Sequence, residues 1–175
     1  GDRRARRRGG VEMSDFLRLP DLASARLGGR AVAANDEFFA PKENLVLDAP
    51  AVFDPARYTD RGKWMDGWET RRRRTPGCDW CIIRLGLPGI VRGVVVDTSF
   101  FRGNYPEHCS LEGATFTTLP TEEQLTSDTV QWVPLLPQMP LRPGSQNVFA
   151  GERRDAVSHV RLNIFPDGGV ARLRV

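Results

Sequence analysis

At 175 residues the chain has the length of one domain, or of one domain with a tail, and its hydrophobic (40%) and charged (27%) shares are those of an ordinary globular protein. No apolar run approaches the length of a membrane span, so neither a spanning helix nor a membrane partner is expected. The net charge of +3 lies wholly in residues 1–12, where five arginines face only Asp2 and Glu12. The balanced remainder is a poor nucleic-acid surface by charge.

Residues 1–12 read as a disordered basic tail or an appended segment, because Met13 resembles a natural start. No apolar stretch follows the basic residues, so they do not read as a secretion signal. Three cysteines, an odd number, then favour reduced thiols in a cytoplasmic protein.

Taken in order, Asp15–Asp21 is a lead-in, and Leu22–Arg26 predicts a short helix ended by Gly28 and Gly29. Arg30–Ala34 is a short extended run. Asn35-Asp36-Glu37-Phe38-Phe39 then sets two carboxylates directly before two aromatics. Leu45–Leu47 is a small apolar patch, and Pro50 to Pro55 is turn-rich. Next comes the densest stretch, Lys63-Trp64-Met65-Asp66-Gly67-Trp68-Glu69-Thr70-Arg71-Arg72-Arg73-Arg74. It has no clean period, and its glycine and flanking turn residues predict a loop rather than a helix. A loop so loaded with charge and indole rings is either functional or a solvated surface whose tryptophans plug the core.

Strand signals dominate from there. Asp79–Leu85 alternates, Gly86–Gly89 predicts a turn, and Val94-Val95-Val96 is a β-branched run typical of a buried strand, which Phe100-Phe101 extends. Leu111–Thr118 alternates in part, Thr121–Asp128 has room for one helical turn, and Val130–Leu136 gives another strand. Pro137, Pro140, Pro143 and Gly144 predict a long loop. Val157–Phe165 places Val160, Leu162 and Ile164 inward and His159, Arg161 and Asn163 outward. With the turn Pro166-Asp167-Gly168-Gly169 and the alternation of Val170–Val175, it predicts a hairpin. Many short strands, long Pro/Gly loops and little helix predict an all-β fold, an antiparallel jelly-roll β-sandwich, as one module over residues 13–175.

Three constellations bear on chemistry. Asp36, Glu37, Asp66, Glu69 and Asp97 lie in irregular stretches or at a strand end, where two carboxylates in unlike surroundings supply an acid and a base; alternatively each caps a turn or pairs with an arginine. Arg71–Arg74, Arg161 and Lys63 suit a bound carboxylate, but in an extended run alternate arginines face opposite ways, so two of the four at most reach one site. Cys78, Cys81, His108 and Cys109 include metal-ligand spacing, but Cys81 falls at an inward strand position and adjacent His and Cys point apart, so no metal is expected. No Gly-rich phosphate loop of standard form is present.

Several blocks, in order, resemble the allantoicase family. They are Leu22-Ala23-Ser24 with Leu27-Gly28-Gly29, Asn35–Ala40, Lys63–Arg73, Asp79–Gly86, Val96-Asp97-Thr98 with Phe101–Asn104, His159–Asn163 and Pro166–Gly169. The resemblance implies cleavage of allantoate with water to ureidoglycolate and urea, in purine breakdown. It implies a tandem pair of jelly-roll modules resembling galactose-binding domains, and a homo-oligomer; no cofactor is expected. This chain corresponds to the amino-terminal module. Two positions depart from the family pattern: Asn35 stands where Ser or Thr is expected, and Cys78 where His is expected. On this reading Glu69, Asp66, Asp36 and Glu37 are the candidate catalytic carboxylates. Lys63, Trp64, Trp68, Arg71, Arg73, Asn104 and Arg161 are the candidate substrate-binding residues. The runner-up is a non-catalytic small-molecule or carbohydrate-binding module of the same fold.

Overall fold

The computed structural model describes residues 15–152 and 154–175; the expected basic tail lies outside the described residues. Among the described residues twelve strands run in chain order: β1 (Arg30–Ala34), β2 (Tyr58–Thr59), β3 (Gly62–Lys63), β4 (Trp68–Glu69), β5 (Asp79–Ile90), β6 (Gly93–Asp97), β7 (His108–Ala114), β8 (Val133–Pro140), β9 (Gln146–Ala150), β10 (Ala156–Phe165), β11 (Gly169–Val170) and β12 (Arg172–Arg174). A single helical turn, α1 (Glu122–Leu125), is closed by a capping box in which Thr121 and Gln124 bond reciprocally. The predicted short helix near residue 24 is a 3-10 turn, Ala25–Leu27, ended by Gly28 at φ 94°.

Five strands pair in the order β1-β5-β10-β7-β8 and three in the order β12-β6-β9, while β4 and β11 form a short ribbon. The pairing is antiparallel throughout. The jelly-roll sandwich expected from the strand pattern is the fold observed. Its core lies between the sheets. Cys81, Ile83, Leu111, Val160, Leu162 and Ile164 of the large sheet meet Val94, Val96 and Leu173 of the small one, with Trp68 beside them. The other face of the large sheet is not bare. Ile82, Ala33 and Leu125 form a second apolar layer there, packed by Trp80, Phe116 and Trp132. That layer is why His159 and Asn163, on the outward side of the alternation, are buried as well.

Four local expectations are corrected. Gly86–Gly89 is no turn: β5 continues through it to Ile90, with a shift of register against β10 between Arg84 and Gly89. A Cβ on Gly86 would collide with the Leu27 carbonyl, and one on Gly89 with Leu22; these glycines let the amino-terminal segment cross the strand. Phe100 does not extend β6; it turns the chain, with φ 70°. Pro137 and Pro140 lie within β8 rather than in a loop, which an edge strand tolerates because one side of its ladder needs no N–H donor. The predicted hairpin does not form. The turn at 166–169 carries the chain off the large sheet, so β11 pairs with β4 and β12 with β6.

The topology gathers one end of the molecule. The end of β1, the start of β5, the end of β10 and the start of β7 are adjacent in the large sheet. Their loops therefore converge, and these loops carry Asn35–Phe38, Arg71–Cys78, Asp167–Gly168 and Asn104–Glu107.

Candidate functional site

The extended segment 68–73 is the spine of this end. Its backbone is held on both sides: the Glu69 carbonyl accepts from the N–H of Phe39 and of Ala40 at 3.1 and 3.3 Å, and Thr70 N–H donates to the Gly168 carbonyl at 3.0 Å. Trp68 points into the core, fully buried, and its indole N–H donates to the Asp36 carbonyl at 2.8 Å. It walls nothing open to solvent; it fixes the backbone that carries Asp36.

Asp36 in turn fixes Arg71. One carboxylate oxygen accepts from the Arg71 Nε at 2.9 Å; the other accepts from the backbone N–H groups of Arg71 and Phe38 at 2.9 and 3.2 Å. Asp36, Glu37 and Arg71 together line a polar cleft of about 480 Å³. Glu37 is held by Lys42 Nζ at 3.1 Å.

Glu69 is buried, and its side chain meets Asn104, whose Nδ2 donates to Oε1 at 2.7 Å. Burial raises the Glu69 carboxyl above its ordinary range, and the Asn104 hydrogen bond opposes that only in part. Asn104 therefore orients the carboxylate. It reaches Glu69 from the loop after β6. There Gly169 lacks a side chain because the Phe101 ring fills the space, and Gly169 N–H ties to the Asn104 carbonyl at 2.7 Å.

Arg73 is at the same end but is committed. Its Nη1 donates to Asp79 Oδ1 at 2.6 Å and to the Cys78 carbonyl at 3.3 Å, and its backbone N–H to Asp167 at 2.8 Å. Asn35 completes this network: its Nδ2 reaches Asp79 at 2.9 Å and its Oδ1 accepts from Trp80 N–H at 2.8 Å. The Cys78 thiol is held above its ordinary pKa, chiefly by burial.

Four candidates are not drawn into this cluster. Asp66 is the partner of the buried Arg172, whose Nη2 reaches both of its oxygens at 2.9 Å, so its carboxylate is taken up as a counter-ion away from this cluster. Arg161 lies on the outward face of β10, paired with Glu112 through Nε at 3.0 Å and through Nη2, with its guanidinium 4.7 Å from the Trp132 ring centre. Lys63 is exposed beside Phe53, and Trp64 is half-buried under the Arg57 guanidinium at 4.2 Å. The sequence reading passed over Arg61, at the tip of the β2–β3 hairpin, and Asp79. Thr59-Asp60-Arg61-Gly62 is a turn signal between two residues of extended chain; it indicates a hairpin but not what its tip touches. Among the described residues no cluster of three or more His, Cys, Asp or Glu is arranged to hold a metal, and no helix is long and apolar enough to cross a membrane.

The allantoicase repeat family model matches residues 20–175. The chain belongs to that family. It is similar to a "probable allantoicase" of Streptomyces coelicolor, 48% identical over 170 residues that cover 91% of this chain and 45% of the relative. An allantoicase of Saccharomyces cerevisiae superposes with a TM-score of 0.77 at 32% identity, over 89% of this chain and 46% of that one. The chain thus spans about half the length of these allantoicase relatives. A CBM32 module from a Clostridium perfringens glycoside hydrolase shares the fold at a TM-score of 0.57 and 11% identity. That likeness speaks for the sandwich alone.

Proposed function

We propose that this chain is one repeat, over residues 13–175, of an enzyme that hydrolyses allantoate to ureidoglycolate and urea. Beyond family membership, one observation carries the reading: a buried carboxylate, Glu69, oriented by Asn104, two residues along the same extended segment from an arginine on an open polar cleft. The whole protein would contain a second homologous repeat, work as a homo-oligomer in the cytoplasm and need no cofactor.

Allantoate carries a carboxylate and two ureido groups on one carbon. Hydrolysis breaks one carbon–nitrogen bond, places a water-derived hydroxyl on that carbon and returns the proton to the departing urea. Glu69 is the proposed proton carrier: as a carboxylate it takes the proton from water, and as an acid it delivers it to the leaving nitrogen. Burial moves the Glu69 carboxyl upward from its ordinary range, in the direction that makes the acid form easier to reach near neutral pH. Arg71, braced by Asp36, holds the substrate carboxylate. Glu37 and the cleft face of Asp36 accept from ureido N–H groups. Asn104, already bonded to Glu69, is a positioning residue.

The test is urea release from allantoate, measured on the full-length protein and on this repeat alone. Release by the full-length protein is expected. A full-length protein that folds, assembles and releases no urea from allantoate overturns the reading.

A further inference from the structure

The same cleft holds a second guanidinium that the reading above does not use. We infer that Arg61 and Arg71 form a two-arginine clamp for a small organic carboxylate, with the Phe38 ring as the surface both arginines rest on. This rests on the allantoate reading for the identity of the substrate, but not for the chemistry of the site.

The hairpin of β2 and β3 is exposed: Tyr58 is 63% exposed, and the chain from Val52 to Lys63 is solvated throughout. Asp60 and Arg61 form its two-residue turn, and Thr59 Oγ1 accepts from Arg61 N–H at 3.1 Å. From that tip Arg61 reaches across to the segment after β1. Its Nη1 donates to the Phe38 carbonyl at 2.8 Å, and its guanidinium carbon lies 4.2 Å from the Phe38 ring centre. The Arg71 guanidinium carbon lies 4.9 Å from the same ring centre. The two carbons are thus no more than about 9 Å apart, a span that one carboxylate bridges with charge-assisted contacts of about 2.8 Å on each side.

The charges around the cleft leave room for an anion. Asp36 is matched by Arg71 and Glu37 by Lys42. Arg61 forms no ion pair among the described residues. The donors are equally available. Arg71 uses its Nε on Asp36 and neither terminal nitrogen, while Arg61 uses Nη1 alone. By contrast, Arg73, Arg161 and Arg172 each commit a terminal nitrogen to a carboxylate. A planar guanidinium with its fork open is the group suited to paired recognition of a carboxylate.

The test compares full-length wild-type protein with Arg61→Gln and Arg61→Lys, using allantoate, glycolate and methylenediurea. The last keeps both ureido groups and lacks the carboxylate. Arg61 is exposed, so both variants are expected to melt as the wild type does. For Arg61→Gln the KM for allantoate should rise about ten- to a hundredfold, the loss of one or two charge-assisted hydrogen bonds, while kcat changes little. Competition by glycolate should weaken in parallel and competition by methylenediurea should stay as it was. Arg61→Lys, which keeps the charge without the fork, should fall between. An unchanged KM for allantoate in Arg61→Gln overturns the clamp and leaves the allantoate reading standing, as does equal weakening for methylenediurea. If the wild type releases no urea but binds glycolate in an NMR titration, and Arg61→Gln loses that binding, the clamp stands and the allantoate reading falls.

Discussion

Two arginine–aspartate pairs of nearly identical chemistry sit in different parts of this molecule. Arg172 and Asp66 are sealed, with side chains 2% and 10% exposed. Every remaining direction of that guanidinium is also used: Nε meets the Ala49 carbonyl at 3.0 Å, and Nη1 meets the carbonyls of Asp66 and Ala171 at 3.2 and 2.8 Å. Arg71 and Asp36 are set so that only the acid is sheltered; the arginine lines the cleft, its side chain is 64% exposed, and it meets the acid through Nε alone. The contrast teaches that a charge pair is read by its leftover valence. A pair with every donor satisfied ties the loop 47–66 to β12, whereas a pair with donors to spare is a receptor.

The largest effect is expected where the open region does its chemistry. Glu69→Gln should cut turnover in the full-length protein by about a hundred- to ten-thousandfold, the range for one positioned acid or base, seen in steady-state urea release. Its stability should move the other way. The folded-state Glu69 titrates above its ordinary range, so holding it as a carboxylate costs stability once the pH passes that range, and the cost persists at neutral pH. The glutamine variant should therefore melt at or above the wild-type temperature. A variant that keeps full turnover removes Glu69 from the mechanism.

The sealed pair should respond in the opposite sense. Asp66→Ala leaves Arg172 charged and buried without its counter-ion, a loss of about 3–5 kcal/mol. Arg71→Gln, in the open pair, should cost below about 1 kcal/mol, since that side chain is 64% exposed and solvent screens the interaction. Urea denaturation of the two variants measures the gap. If both lose the same amount, the distinction between sealed and open pairs fails.

Little of this contrast was legible in the sequence, for a physical reason. Residue types and periods report on what a segment buries, so Val160, Leu162 and Ile164, and the valines of β6, announced themselves as core. Pairing is decided between distant residues. Nothing local distinguishes Asp66, which meets an arginine 106 positions away, from Asp36, which meets one 35 positions away. The turn at 166–169 looked like a hairpin because a turn signal says that the chain reverses, not which sheet it joins. Glycines 86 and 89 looked like punctuation, yet they are spaces for Leu27 and Leu22. Arg61 was invisible because its role depends on where a hairpin tip lands.

Acid should separate the two kinds of buried group further. His159 lies in the second apolar layer with Ser158 Oγ at 2.9 Å from Nδ1 and the Phe116 ring edge-on; burial, then the nearby Arg84, hold its pKa down to about 4. A depressed histidine favours folding above its unfolded pKa of about 6.5, and that contribution is lost as the pH falls toward 4. The loss is about 3 kcal/mol in all. Over the same window Glu69 gains a proton at a benefit to stability. Thermal melts from pH 7 to 4.5 should show a fall set by His159, and His159→Leu should flatten it. An unchanged slope in that variant would show that another group governs acid stability.

The finest test concerns Asn104, which touches Glu69 and, in the proposed mechanism, no substrate atom. Its hydrogen bond favours the ionised carboxylate and so opposes the shift that burial imposes. Asn104→Ala removes the donor and leaves the burial, so the Glu69 pKa should rise further. Because the carboxylate form starts the reaction, the acid limb of kcat/KM against pH should move to higher pH in the variant, while the plateau drops far less than in Glu69→Gln. A hydrogen bond to a charged group is worth about 1.5–3 kcal/mol, which corresponds to about one to two pH units. A limb that stays in place while the plateau falls would make Asn104 a scaffold for the loop rather than a tuner of Glu69, and the open region would then have one poised group fewer than the comparison with Arg172 and Asp66 assigns to it.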